Sequence, residues 1–114
     1  MVKTDSCGCV VQRKYASDYL ARRLYALNEK GFSLVKRVEI GDGRWFEVYK
    51  RGNDYRYKSS ECPLVVITLE ALLEAKEDGT LNKSNWREVL RGVKGLQINE
   101  VIERIGSSLS EVLS

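Results

Sequence analysis

Between Phe32 and Lys58 the sequence FSLVKRVEIGDGRWFEVYKRGNDYRYK interleaves basic and aromatic side chains. Lys36, Arg37, Arg44, Lys50, Arg51, Arg56 and Lys58 alternate with Phe32, Trp45, Phe46, Tyr49, Tyr55 and Tyr57. Lysine and arginine contact phosphates and release counterions when they meet a polyanion. Flat aromatic rings on a sheet stack exposed bases. With two arginines from the segment before it, the candidate nucleic-acid-binding set is Arg22, Arg23, Arg37, Arg44, Trp45, Tyr49, Lys50, Arg51, Arg56 and Lys58. Arg22, Arg23, Arg44, Lys50, Arg51 and Arg56 are the expected phosphate contacts, which fix position without reading sequence. Trp45 and Tyr49 stack only if exposed. A sheet covered on both faces would bury them against the C-terminal helices instead, and in so short a chain burial is the expectation.

Other chemistry is sparse. There is no histidine, so the commonest general base, metal ligand and pH switch are missing together. Gly41-x-Gly43 lacks the third glycine of a dinucleotide fingerprint, no Gly-Lys-Ser/Thr loop occurs, and no serine sits in a Gly-x-Ser-x-Gly elbow. Cys7, Cys9 and Cys62 are the only cysteines. Three thiols with one residue between the first two fall short of a structural zinc set, so buried or incidental thiols are expected, with a disulfide from Cys62 to Cys7 or Cys9 as the alternative. Glu70, Glu74 and Glu77 share one helix face and read as solvated, because a hard-metal site needs oxygens converging from several elements. No enzyme activity, metal or cofactor is expected.

The net charge of +3 conceals a division. Residues 1–58 carry 13 Lys/Arg against 7 Asp/Glu, a net of +6, and residues 59–114 carry 6 against 9, a net of −3. A basic half points to a polyanionic partner, with uneven scatter over a solvated surface as the competing explanation. The length of 114 residues suits a single domain, 1–114, with a modest core. The longest apolar run, Leu64–Leu69 with Thr68 allowed, is far short of a membrane span, and the first residues lack the apolar stretch of a signal peptide. A soluble cytoplasmic protein follows as the expectation. Abundant Lys, Arg and Glu with little Gln lean towards a thermophilic source.

The elements that must position the basic and aromatic residues are legible by period. Cys7–Tyr15 reads as a short strand. Ser17 reads as the N-cap of a helix running to Lys30 and stopped by Gly31, with Leu20, Leu24 and Leu27 inward and Arg22, Arg23 and Lys30 outward. Phe32–Ile40 and Arg44–Lys50 read as a hairpin closed at Gly41-Asp42-Gly43. Its register sets Val38 opposite Phe46 and Lys36 opposite Val48 on the core face. Glu39 then faces Trp45, Arg37 faces Glu47 and Val35 faces Tyr49 on the other. Gly52-Asn53 turns the chain into a third strand, Tyr55–Lys58, whose facing depends on the loop length. Leu64–Thr68 fits either a fourth strand or the lead-in to a helix ending at Lys76. A short helix over Asn85–Arg91, capped by Ser84, and a last one over Gln97–Leu113, kinked at Gly106-Ser107-Ser108, complete the chain.

The order helix–strand–strand–strand–helix over Ser17–Lys76 resembles that of double-stranded-RNA-binding domains, but the second helix is acidic, LEALLEAKED, where theirs is lysine-rich. The stretch LARRLYALNEKGFSLVKRVEIGDGRWFEVYK resembles the last helix and wing of a winged-helix domain, with too few residues before it for that domain's earlier helices. The fold expected is α+β: an antiparallel sheet of three to four strands packed by an N-terminal helix and a helical C-terminal half. The function expected is non-catalytic nucleic-acid binding through the basic half. The alternative is an interaction or assembly module, a homodimer formed through Ile98, Val101, Ile102, Ile105 and Leu109.

Overall fold

The computed structural model describes residues 2–4, 10–12, 15–21, 23–82 and 84–113. Their order is β1 (Val2–Thr4), β2 (Val10–Gln12), α1 (Ala16–Ala21), β3 (Ser33–Gly41), β4 (Arg44–Arg51), β5 (Asp54–Ser59), α2 (Pro63–Glu77), α3 (Trp86–Arg91) and α4 (Glu100–Leu113). β1 and β2 form a two-stranded antiparallel ribbon, and β3, β4 and β5 form a separate antiparallel sheet in that order. This is the expected α+β arrangement, with a three-stranded sheet and a helical C-terminal half.

The β3–β4 hairpin closes where Gly41, Asp42 and Gly43 take positive φ of 106°, 54° and 78°. Its register follows the alternation over Lys36–Glu39, with Val38 opposite Phe46 and Arg37 opposite Glu47. Further from the turn the expected Val35–Tyr49 pair gives way to Leu34–Tyr49. Val35 is the extra residue of a bulge, which moves the strand on by one position. Arg51 faces Asp54 across a two-residue loop, which settles the facing of β5. Tyr57 lies opposite Val48 in the core, while Arg56 and Lys58 share the other face with Tyr49 and Glu47.

Helix α2 is the centre of the molecule. Pro63 opens it, where a missing N–H costs nothing, so Leu64–Thr68 is helix and the fourth strand does not form. Every residue from Val65 to Ala75 is buried. A helix covered on all sides lies inside its domain, and α2 packs against the sheet, α1, α3 and α4.

That position overturns the solvated acidic face. Glu70 and Glu74 are fully buried, and only Glu77 reaches the surface. All three carboxylates hold the segment that follows or belongs to α1. Glu70 accepts the backbone N–H of Leu24 at 2.9 Å and of Tyr25 at 3.0 Å. The Tyr19 hydroxyl donates to Glu74 at 3.4 Å, and the Tyr25 hydroxyl donates to Glu77.

The same contacts correct the expected helix over Ser17–Lys30. α1 ends at Ala21, because the N–H groups of Leu24 and Tyr25 are bound by Glu70. The chain then runs parallel beside β5: the Leu27 N–H donates to the Tyr57 carbonyl at 2.8 Å, and the Tyr57 N–H to the Tyr25 carbonyl at 3.0 Å. At the other end the cap is not Ser17. Asp18 reaches back to accept the Tyr15 N–H at 2.9 Å, one half of a capping box. Tyr19 is buried.

The N-cap position of α3 is Asn85 rather than Ser84, without a side-chain cap hydrogen bond. α4 starts at Glu100, where Asn99 accepts the Ile102 N–H at 3.0 Å, and runs through Gly106 without a break. Gly106 serves packing: the Trp86 ring lies against it, and an added Cβ would stand 2.2 Å from Trp86 Cζ3. Ile102, Ile105 and Leu109 are completely buried in the chain's own core. Only Ile98 and Val101 of the proposed dimer stripe stay partly exposed, so this stripe closes the core and presents no continuous apolar face to a second copy. Among the described residues no helix is long and apolar enough to cross a membrane.

Two substitutions test this packing. Glu70→Ala strands two inward-facing N–H groups, each costing about 1–3 kcal/mol. Denaturant titration is expected to show that loss, with faster amide exchange at Leu24 and Tyr25; unchanged exchange there would mean the carboxylate does not hold the segment. Gly106→Ala, mildly favourable in an exposed helix, is expected to destabilise by about 1–3 kcal/mol through overpacking. An unchanged or raised unfolding midpoint would show that Trp86 withdraws freely.

Candidate nucleic-acid interface

The helices α2 and α4 pack on the face of the sheet that carries Val38, Phe46, Val48 and Tyr57. Alternation places Arg37, Glu39, Trp45, Glu47, Tyr49, Arg51, Asp54, Arg56 and Lys58 on the opposite, outer face. Trp45 and Tyr49 are therefore not buried under the C-terminal helices, as a doubly covered sheet would require. Both are half-buried, two positions apart on the outer side of β4.

The middle of this face is a closed polar network. Arg37 donates to Glu47 at 2.9 Å and to Glu39 at 3.0 Å, and its guanidinium lies 4.5 Å from the centre of the Trp45 ring. The Tyr49 hydroxyl donates to the other Glu47 oxygen at 2.8 Å, and the Lys58 ammonium lies 5.7 Å from the Tyr49 ring. The hydrogen bond from Tyr49, then that from Arg37, holds the Glu47 carboxyl below the usual carboxylate range, while the same carboxylate raises the Tyr49 hydroxyl. The acid at the centre of the face is thus neutralised by its neighbours, and cations cover parts of both rings.

Two arginines have another task. The Arg51 guanidinium donates to the Lys30 carbonyl at 3.0 Å, pairs with Glu29 at 3.6 Å and stacks 4.4 Å from Phe32. Arg56 donates to the Tyr55 carbonyl at 2.7 Å and lies 5.4 Å from Phe32 and 5.7 Å from Tyr25. Together they clamp the crossing from the β5 side to the start of β3, which is a structural duty.

The remaining candidates scatter. Arg22, with Arg13 and Lys14, lies outside the described residues. Arg23 follows α1 and pairs with Glu61 at 3.4 Å. Lys50 points to the helix side, 5.3 Å from the Tyr55 ring, in a cleft of about 500 Å³ that also includes Lys76 and Glu77. Arg37, Trp45, Tyr49 and Lys58 are brought together; Arg23, Lys50, Arg51 and Arg56 are not part of that group.

Arg44 reveals a contact that sequence reading missed. Its Nε lies 3.3 Å from Cys62 Sγ, at the N-terminus of α2. Burial pushes the Cys62 thiol up, but the Val65 N–H and the Arg44 guanidinium outweigh it, so the thiol lies below its ordinary range. Nothing in the spacing of residues 44 and 62 signals this, since the β4–β5 hairpin has to form before the two meet. Cys62 is a free thiol; Cys7 and Cys9 lie outside the described residues. Among the described residues no three His, Cys, Asp or Glu side chains are grouped to hold a metal ion. Comparison with protein-family models, with curated proteins and with solved structures gives no match for this chain.

Cys62 supplies a direct measurement. Its alkylation by iodoacetamide, followed by peptide-resolved mass spectrometry, is expected to titrate below the range of an unperturbed thiol, because the thiolate is the reacting form. Arg44→Met is expected to move the midpoint to higher pH. Coincident profiles for the two proteins would remove Arg44 as a cause.

Proposed function

We propose that this is a non-catalytic nucleic-acid-binding protein whose contact surface is the outer face of the three-stranded sheet. The observation that supports it is the placement of Trp45 and Tyr49, half-exposed on the outer side of β4 with Glu47 between them, each with a cation beside its ring. Single-stranded nucleic acid suits such a face, since unpaired bases offer flat surfaces for stacking while Arg37 and Lys58 meet the flanking phosphates. The engaged Glu47 carboxylate presents little repulsion, because Arg37 and Tyr49 already bind its two oxygens. Such contacts position a strand without reading its sequence. A reducing, cytoplasmic setting accords with the free thiol of Cys62.

The test is a salt-titrated binding assay with short single-stranded and duplex oligonucleotides carrying a fluorescein label, read by the anisotropy of the label. Binding is expected for single strands and is expected to weaken steeply with salt. Trp45→Ala and Tyr49→Ala are each expected to cost about 1–3 kcal/mol, roughly 5- to 150-fold in affinity. Absence of binding at low salt to any of these oligonucleotides would sink the reading, and an equal loss on Lys50→Ala would place the contact on the other face.

A further inference from the structure

The outer edge of β3 carries the observations that remain. Among the described residues β3 pairs with β4 alone, so one side of the strand has no neighbour. Leu34 and Val35, at its start, are 54% and 46% exposed. A groove of about 550 Å³ runs between this edge and α4, lined by Val35, Arg37, Val38, Ser108 and Val112 among others.

Backbone alternation fixes which groups the edge offers. The Ser60 N–H donates to the Trp45 carbonyl, so Trp45, Glu47 and Tyr49 direct their peptide groups to β5, and Phe46 and Val48 direct theirs to β3. Their partners Val38 and Lys36 are therefore engaged with β4. The peptide groups of Arg37 and Glu39 point outward.

We propose that this edge is a self-pairing interface: a second copy adds its β3 antiparallel to the first, with the two-fold axis at Val38. Charge selects that register. Pairing centred on Arg37 sets two arginines opposite each other, and pairing centred on Glu39 sets two glutamates opposite each other; like charges directly across an antiparallel pair are destabilising. Centring on Val38 sets Arg37 against Glu39 of the partner subunit, twice by symmetry. Val38 then meets its own copy as the non-hydrogen-bonded pair, and the outward peptide groups of residues 37 and 39 bond each other in both copies. Charged residues at an edge ordinarily repel a second strand. Here the two signs stand two positions apart on one face, so they reject the alternatives and accept a single alignment. The result is one continuous sheet built from two three-stranded ones. Arg37 belongs to both surfaces, but the pairing needs no ligand and does not rest on the nucleic-acid reading.

Sedimentation tests it without any ligand. The wild-type chain is expected to approach twice its 13.0 kDa mass at high-micromolar concentration. Glu39→Lys, which opposes lysine to the partner's Arg37, is expected to be a monomer with unchanged far-ultraviolet circular dichroism. Arg37→Glu is expected to behave likewise. Mixing the two variants restores both opposite-charge pairs and is expected to restore a dimer of one of each. A monomeric wild type at every concentration overturns the proposal. So does a Glu39→Lys variant that stays dimeric, or a mixture of two folded variants that remains monomeric.

Discussion

A carboxylate in the interior, Glu70 on α2, sets the course of the first half of the described chain. It accepts two successive backbone N–H groups, those of Leu24 and Tyr25, which then have no part in continuing α1. Charge-assisted bonds to backbone donors are among the stronger ones a protein makes, and in a buried setting water offers little competition. Everything downstream follows from that capture. The segment turns beside β5, Tyr57 exchanges hydrogen bonds with Tyr25 and Leu27, and Phe32 arrives under Arg51 and Arg56. The start of β3 is thereby delivered to the far edge of the sheet. Glu74 and Glu77 repeat the capture along the same helix with the hydroxyls of Tyr19 and Tyr25.

Local signals in the sequence carried the sheet and missed this capture. The β3–β4 register was legible because a glycine-rich turn and an alternating strand leave few alignments, and Arg37 opposite Glu47 chooses among them. The bulge at Val35 has no such marker. The apparent helix over Ser17–Lys30 has good caps and spacing, and only a tertiary contact ends it. The glutamates of α2 were read outward because LEALLEAKE alternates in the helical period. The better signal was the preceding VVITL, which leaves the helix no polar side and so places it in the centre, acids included. For the candidate site, alternation sets Trp45 and Tyr49 on the face opposite Phe46 and Val48, but whether helices cover one face or both depends on tertiary packing that no local pattern carries.

The positive excess of the N-terminal half is also redistributed by folding. Arg51 and Arg56 lie across a loop crossing, Arg44 meets a thiol, and Arg37 divides itself between two carboxylates and a ring. Net charge counts these groups equally, yet a cation already stacked or bridged must exchange partners before it meets a phosphate. What the fold concentrates is narrower than the +6 suggests: a patch of two rings and the cations beside them.

The short parallel pairing of Ala26 with Tyr57 has a consequence for growth. A sheet with two bare edges can recruit copies without limit, edge after edge, as fibrils do. In this sheet the β5 side is taken by the protein's own backbone at Tyr25–Leu27, through two main-chain bonds. Among the described residues of this sheet, only the β3 side remains to be matched. The proposed self-pairing uses the same edge of both molecules and, among the described residues of this sheet, leaves no second edge bare, so it is a closed, terminating event. Detaching residues 25–27 from β5 would reopen the other side and convert a finite assembly into a polymerising one.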